Sequence, residues 1–280
     1  MSTIIDKKAG GYKFHIERFA SAMEVVDASR SRQITNDRFT DMASADNWGW
    51  RGCKSWEDAL DMMRNGYQPT VEKLMGLLKV SAMGNGKRIT FQNNIVGYAP
   101  VVPLALKGVP NNMIDTRMKP IKCKVLDVYY DMTVSCGVDS DDIIKNGQKL
   151  LGAMLELEAQ GYAFNLYAIQ PYSDGNSSDM LVVKIKSSSQ PIDLKRISFP
   201  LTHTAFFRAI GFDWYNKVPG GKYRSGRGSA LCNMESTEKL NKIIKELFGQ
   251  NAIYLSCGKI INDDVKHIKE VLENGNSKTR

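Results

Sequence analysis

The sequence predicts an α/β protein, a mostly parallel sheet flanked by helices with a mainly helical segment in front of it. Three observations carry that expectation. Residues 124–135, KVLDVYYDMTVS, form an apolar, β-branched and aromatic run that reads as a buried strand. A helical pattern follows over residues 139–160. A second strand-like run covers residues 163–169. Strand, helix and strand in that order favour parallel pairing through a right-handed crossover, and ligands of such sheets bind at the carboxyl ends of the strands. The first strand delivers Asp131, Thr133 and Ser135 to that end.

Composition narrows the class. The 280 residues suffice for one large domain or a small and a medium one, and 42% hydrophobic content is ordinary for a globular chain. No stretch approaches the roughly 20 apolar residues of a membrane helix. Residues 1–11 are too polar for a signal-peptide core, so a membrane partner is not expected and the cytoplasm is the expected compartment. The five cysteines (Cys53, Cys123, Cys136, Cys232, Cys257) form no C-x-x-C pair, which points to reduced thiols. A formal net charge of +8 permits a nucleic-acid partner. With 30 acidic residues interspersed, the positive field would have to concentrate on one face.

Along the chain, Phe14, Ile16, Phe19, Met23, Val25 and Val26 fit an amphipathic helical arm. Trp48, Trp50 and Trp56 are expected to form a small aromatic core that pins the N-terminal helices. Ser55 caps a helix that Gly66 closes, and a second helix covers residues 70–83. A turn at residues 84–87 leads to a strand at 88–92, after which Pro100, Pro103 and Pro110 allow only short pieces. A soft boundary near residue 120 divides a helical segment, 1–120, from an α/β domain, 121–280. In the second part, residues 172–178 read as a loop. Residues 180–186 read as an edge strand because of Lys184 and Lys186. A helix-like run at 205–210 follows Thr202 and Thr204, either of which can cap it. A glycine- and cation-rich loop spans 217–229, then come a helix (235–248), a strand (252–256) and a last helix (263–273).

The order of elements over residues 125–273 resembles a von Willebrand factor A domain, whose first strand ends in a D-x-S-x-S metal motif. Here the motif reads Asp131-Met132-Thr133-Val134-Ser135. The resemblance implies a Rossmann-like sheet. It also implies Mg²⁺ or Mn²⁺ held by Asp131, Thr133, Ser135 and a threonine of a later loop, Thr202 or Thr204. Where the family has T-D-G, this chain has Ser256-Cys257-Gly258, so Cys257 replaces the acidic residue. The final strands of a full A domain have no counterpart, and the N-terminal half is expected to complete the sheet. A second resemblance, carried by Trp50, residues 55–60, Gly66-Tyr67, residues 97–113 and residues 199–212 around His203 and Arg208, is to an uncharacterised family encoded by tailed phages and mobile elements. It implies the host cytoplasm or the virion as the setting.

Each motif also has a plainer reading. Asp131, Thr133 and Ser135 suit a strand-exit turn equally well. Cys136, His203 and Cys257 could meet as Zn²⁺ ligands, or the cysteines could be small buried hydrophobes. His203 could act as a base or pack on its own turn. Lys217, Lys222, Tyr223, Arg224 and Arg227, with Tyr215, could grip phosphates and stack on bases, or form a solvated loop. The leading expectation is a non-catalytic adaptor of phage type that holds a protein partner at the carboxyl edge of the sheet, with or without a divalent cation. The alternatives are a nucleic-acid-binding accessory protein using the 217–227 loop and a metal-dependent enzyme at Asp131, His203 and Cys257.

Overall fold

The run that ends in Asp131 becomes the strand expected of it, and a sheet assembles on both of its sides. The computed structural model describes residues 2–33, 48–81, 87–120, 124–135, 137–220, 229–258 and 265–274. The chain opens with strands rather than helices: β1 (Thr3–Ala9) and β2 (Tyr12–Phe19) form a hairpin. Gly10 and Gly11 turn it at φ +55° and +91°, as a two-residue primed turn requires. The apolar series expected in one helix is therefore split. Phe14, Ile16 and Phe19 belong to β2, and only Met23, Val25 and Val26 lie in α1 (Ala22–Ser31), which Ser21 caps.

Helices α2 (Trp48–Arg51), α3 (Trp56–Asn65) and α4 (Gln68–Ser81) follow, with Ser55 accepting from the Asp58 amide as an N-cap. Strands β3 (Lys87–Asn94) and β4 (Ala99–Pro100), the short helix α5 (Val102–Leu106) and strand β5 (Met113–Pro120) then build a separate antiparallel sheet in the order β3-β5-β4.

The later half contributes β6 (Lys124–Asp131), α6 (Ser140–Ala159), β7 (Tyr162–Asp174) and β8 (Ser177–Lys186). After these come α7 (Leu194–Thr202), a π-helix (Phe206–Gly211) and α8 (Phe212–Lys217). The last elements are β9 (Ser229–Ala230), α9 (Leu231–Met234), α10 (Thr237–Phe248), β10 (Ala252–Ser256) and α11 (Val265–Asn274). The main sheet runs β1-β2-β8-β7-β6-β10, with β9 on β7.

That sheet is mixed, not mostly parallel. The β6–β7, β6–β10 and β2–β8 pairs are parallel, whereas β1–β2 and β7–β8 are antiparallel. The cause is local: β7 and β8 run through the expected loop at 172–178 and turn on Gly175-Asn176 alone. Nor is β8 an edge strand over Ser177–Val183, because the N-terminal hairpin pairs with it there and so completes the sheet. Lysine is tolerated in β8 because Lys186 meets Glu158 of α6 at 2.8 Å, both side chains being buried.

Two apolar layers hold the sheet. One face packs on α6, α7, the π-helix and α11 through Leu126, Val128 and Tyr130. The other carries Phe14, Ile16 and Tyr254 against Leu240, Ile243 and Ile244 of α10. Tyr129 lies between Tyr167 and Phe248 with ring centroids 4.7 and 4.3 Å away. Among the described residues no helix is long and apolar enough to cross a membrane.

Candidate functional site

At the carboxyl end of β6 the chain satisfies its own polar groups. Asp131 is wholly buried. One oxygen accepts from the Thr133 amide at 2.9 Å and the Thr133 hydroxyl at 2.5 Å, and the other accepts from the Tyr254 hydroxyl at 2.6 Å. Burial pushes its carboxyl up to about 6, and those three donors pull in the opposite direction. This is the geometry of an Asx turn at a strand exit.

The other expected ligands are exposed or have hydrogen-bond partners of their own. Ser135 is exposed. The Thr202 hydroxyl donates to the Ser198 carbonyl at 2.8 Å and is met by the Thr70 hydroxyl of α4 at 3.1 Å. The Thr204 hydroxyl donates to the Arg51 carbonyl at 2.8 Å. Among the described residues, no three His, Cys, Asp or Glu side chains cluster closely enough to hold a metal ion.

Cys257 is buried beside Tyr130, and burial pushes its thiol up to about 11. Its carbonyl accepts from Asn146 at 3.1 Å. His203 is pushed down to about 4 by burial. Its Nδ1 accepts from the Ala205 amide at 3.2 Å, and its ring packs on Phe199 and edge-on to Tyr67. It is a neutral histidine packed on its own turn. Cys136 lies outside the described residues.

What the carboxyl edge does carry is a lock on the N-terminal helices, centred on Arg208. This arginine is buried in the π-helix and donates to the Trp50 carbonyl at 2.8 Å and the Val138 carbonyl at 2.6 Å, with its guanidinium 4.4 Å from the centre of the Trp50 ring. Trp50 also stacks on Phe212. Gly52 sits so close that a Cβ would lie 2.2 Å from the Thr204 hydroxyl oxygen, and one at Gly66 would lie 2.7 Å from the Lys195 carbonyl oxygen. The Tyr67 amide donates to the Ser198 hydroxyl at 2.9 Å. Trp50, Gly66, Tyr67, His203 and Arg208, distant in sequence, are therefore parts of one contact. Trp56 is half-buried against the same core, and nothing is described of the Trp48 side chain.

Two other places are open. A cleft of about 470 Å³ lies beside the β1–β2 hairpin, lined by Lys8, Lys13, His15, Ser177 and Asp179 among others. The small sheet of residues 87–120 exposes Phe91, Ile95, Val96, Tyr98, Val102 and Leu106. The expected cationic loop divides: Lys217 pairs with Asp213 at 2.8 Å, and Tyr215 is buried against Tyr172, so it cannot stack on a base. Lys222, Tyr223, Arg224 and Arg227 lie outside the described residues.

The profile of a family described as a domain of unknown function, DUF7192, matches residues 7–276. The chain belongs to the DUF7192 family. No curated protein and no solved structure matches it. The DUF7192 span begins within β1 and takes in the rest of the hairpin, the small sheet, the Arg208 lock and the last helix. Sequence reasoning missed the cleft and the exposed small sheet. For the cleft a signal existed in the Gly10-Gly11 pair, which fixes a hairpin and so sets Lys8 opposite Lys13.

Proposed function

We propose that this DUF7192 chain is a non-catalytic binding protein that holds a protein partner on the small sheet of residues 87–120. One observation carries the reading: six large apolar side chains there stand in water, Val96 at 76% and Leu106 at 84% exposure. Exposed apolar residues grouped in this way mark interaction surfaces, and burying each would contribute about 1.5–3 kcal/mol. Strand β3 is also an edge strand eight residues long, whose outer backbone groups can pair with an added strand. The segment carries Lys87, Arg88, Lys107, Arg117 and Lys119 against Asp115 alone, which favours a partner with an acidic rim.

A role in holding a partner is the leading expectation from the sequence. It also agrees with the carboxyl edge, where Asp131, Thr202, Thr204 and His203 all serve the chain's own packing. A photo-crosslinking side chain placed at position 98 or at position 135, in the native host, tests the reading. Crosslinks from position 98 to one protein, lost on Val102→Ser with Leu106→Ser, are expected. Crosslinks from position 135 alone would instead place the partner at the carboxyl edge, where Mg²⁺ or Mn²⁺ could bridge to it.

A further inference from the structure

The cleft beside the hairpin has a size that suits a small metabolite. Strand register lays out its charged wall in two rows across β1, β2 and β8. One row is Asp6, His15 and Asp179, and the next, nearer the turn, is Lys8, Lys13 and Ser177. Residues two apart on a strand share a face, so both rows point the same way. Lys7 points to the other side, where its ammonium donates to the Leu247 carbonyl at the end of α10 at 2.7 Å.

The first row pairs its opposite charges within itself. His15 places Nδ1 2.8 Å from an Asp6 oxygen and Nε2 2.8 Å from the Pro219 carbonyl oxygen. Both partners only accept, so the ring satisfies both only as an imidazolium with a proton on each nitrogen. That cation then lies between the carboxylates of Asp6 and Asp179. The second row is not balanced. Lys8 and Lys13 are direct cross-strand partners, and neither makes an ion pair or side-chain hydrogen bond with a described residue. Like charges placed opposite one another destabilise a hairpin, and the two-residue turn gives them little room to part. An anion seated between them converts that repulsion into attraction. Gly220, at φ +71°, forms part of the facing wall without a side chain to fill the space.

We propose that this cleft binds a small phosphate ester bearing hydroxyl groups, a sugar phosphate or a nucleotide. Lys8 and Lys13 hold the phosphate, and the exposed carboxylate of Asp6 accepts from the hydroxyls. Two ammonium groups match the charge of about −1.5 to −2 on a phosphomonoester. Lysine binds phosphate as a compact point charge, and two such charges exceed what the single charge of a carboxylic acid can neutralise. The inference rests on the cleft between the hairpin, β8 and Gly220, and stands or falls independently of the partner surface on the small sheet.

Calorimetric titration of the full chain with ribose 5-phosphate, inorganic phosphate and ribose tests it, wild type against Lys8→Gln with Lys13→Gln. Both lysines are exposed, so the double variant should fold. Without ligand it should melt no lower than wild type, because the repulsion is gone. Ribose 5-phosphate should bind wild type more tightly than inorganic phosphate does, ribose should not bind, and the double variant should bind roughly tenfold or more weakly. Adenosine 5′-monophosphate and a short 5′-phosphorylated single strand then separate a free nucleotide from a nucleic-acid end. Equal affinity in the double variant, a response reproduced by sodium chloride at matched ionic strength, or no binding of any phosphate ester would overturn the proposal.

Discussion

Asp131 and His203 are buried ionisable residues with opposite pH signatures. Asp131 titrates near 6 in the folded chain, above its ordinary 3.8, so the fold favours its protonated form. Its stabilising contribution is complete below pH 3.8 and is lost as pH rises through 6. His203 titrates near 4, below its ordinary 6.5, so the fold favours the neutral ring. Its contribution is complete above pH 6.5 and is lost as pH falls through 4. Each swing is on the order of 3 kcal/mol, and between about pH 4 and 6 they offset one another. Separating them is the test. Asp131→Asn should leave the His203 slope exposed, so that stability falls steadily from pH 6.5 to 4. His203→Phe should leave the Asp131 slope, so that stability rises over the same interval, less about 1 kcal/mol for the Ala205 amide left without its acceptor. Urea midpoints at half-unit steps of pH read both, and parallel curves for the two variants would refute the assignment. The chemical types of this pair were legible in the sequence, but their states were not. An aspartate followed by two hydroxyl positions fits a metal site and an Asx turn equally. The choice depends on Tyr254, brought in from β10 to the second carboxylate oxygen.

At the scale of the element, β8 shows how a sound local rule fails. Lysines in a strand usually mark an edge, where the ammonium reaches water. In this chain Lys186 points inward, and Glu158, near the end of α6, neutralises it at 2.8 Å with both side chains at most 4% exposed. Removing one member strands the other. Glu158→Leu should destabilise the chain by about 3–5 kcal/mol, while Glu158→Leu combined with Lys186→Met should recover most of that loss. Chemical denaturation of the two variants measures it, and a double variant no better than the single one would show that packing, rather than charge, governs the site. The helix at 194–202 went unread for a related reason. Pro200 speaks against a helix interior, yet α7 carries it in a segment whose Leu194, Ile197, Phe199 and Leu201 are all buried. By contrast α3, with Ser55 at its start and Gly66 at φ +83° after its end, lies where local signals put it.

Across the whole molecule, the buried apolar layers lie on the main sheet, while the small sheet exposes six large apolar side chains. Side chains already in water add little to folding, so Phe91→Ser, Val102→Ser and Leu106→Ser together should shift the melting temperature by only a few degrees, each change lying within about 0.5 kcal/mol. A large drop in a thermal melt would mean that these residues fold against the rest of the chain, and would end their case as a partner surface. The sequence by itself determined where β6, α6, α10 and β10 fall. Alternation, helical spacing and caps act between near neighbours and survive any arrangement of the whole. Only the tertiary structure decided that β7 and β8 turn back on each other, and that the N-terminal half completes the sheet with a strand hairpin laid against β8. It also decided that Arg208 reaches Trp50, and that the carboxyl edge of the sheet is occupied by the chain's own side chains. Those outcomes depend on desolvation and on partners tens to hundreds of residues away, which no local spacing encodes.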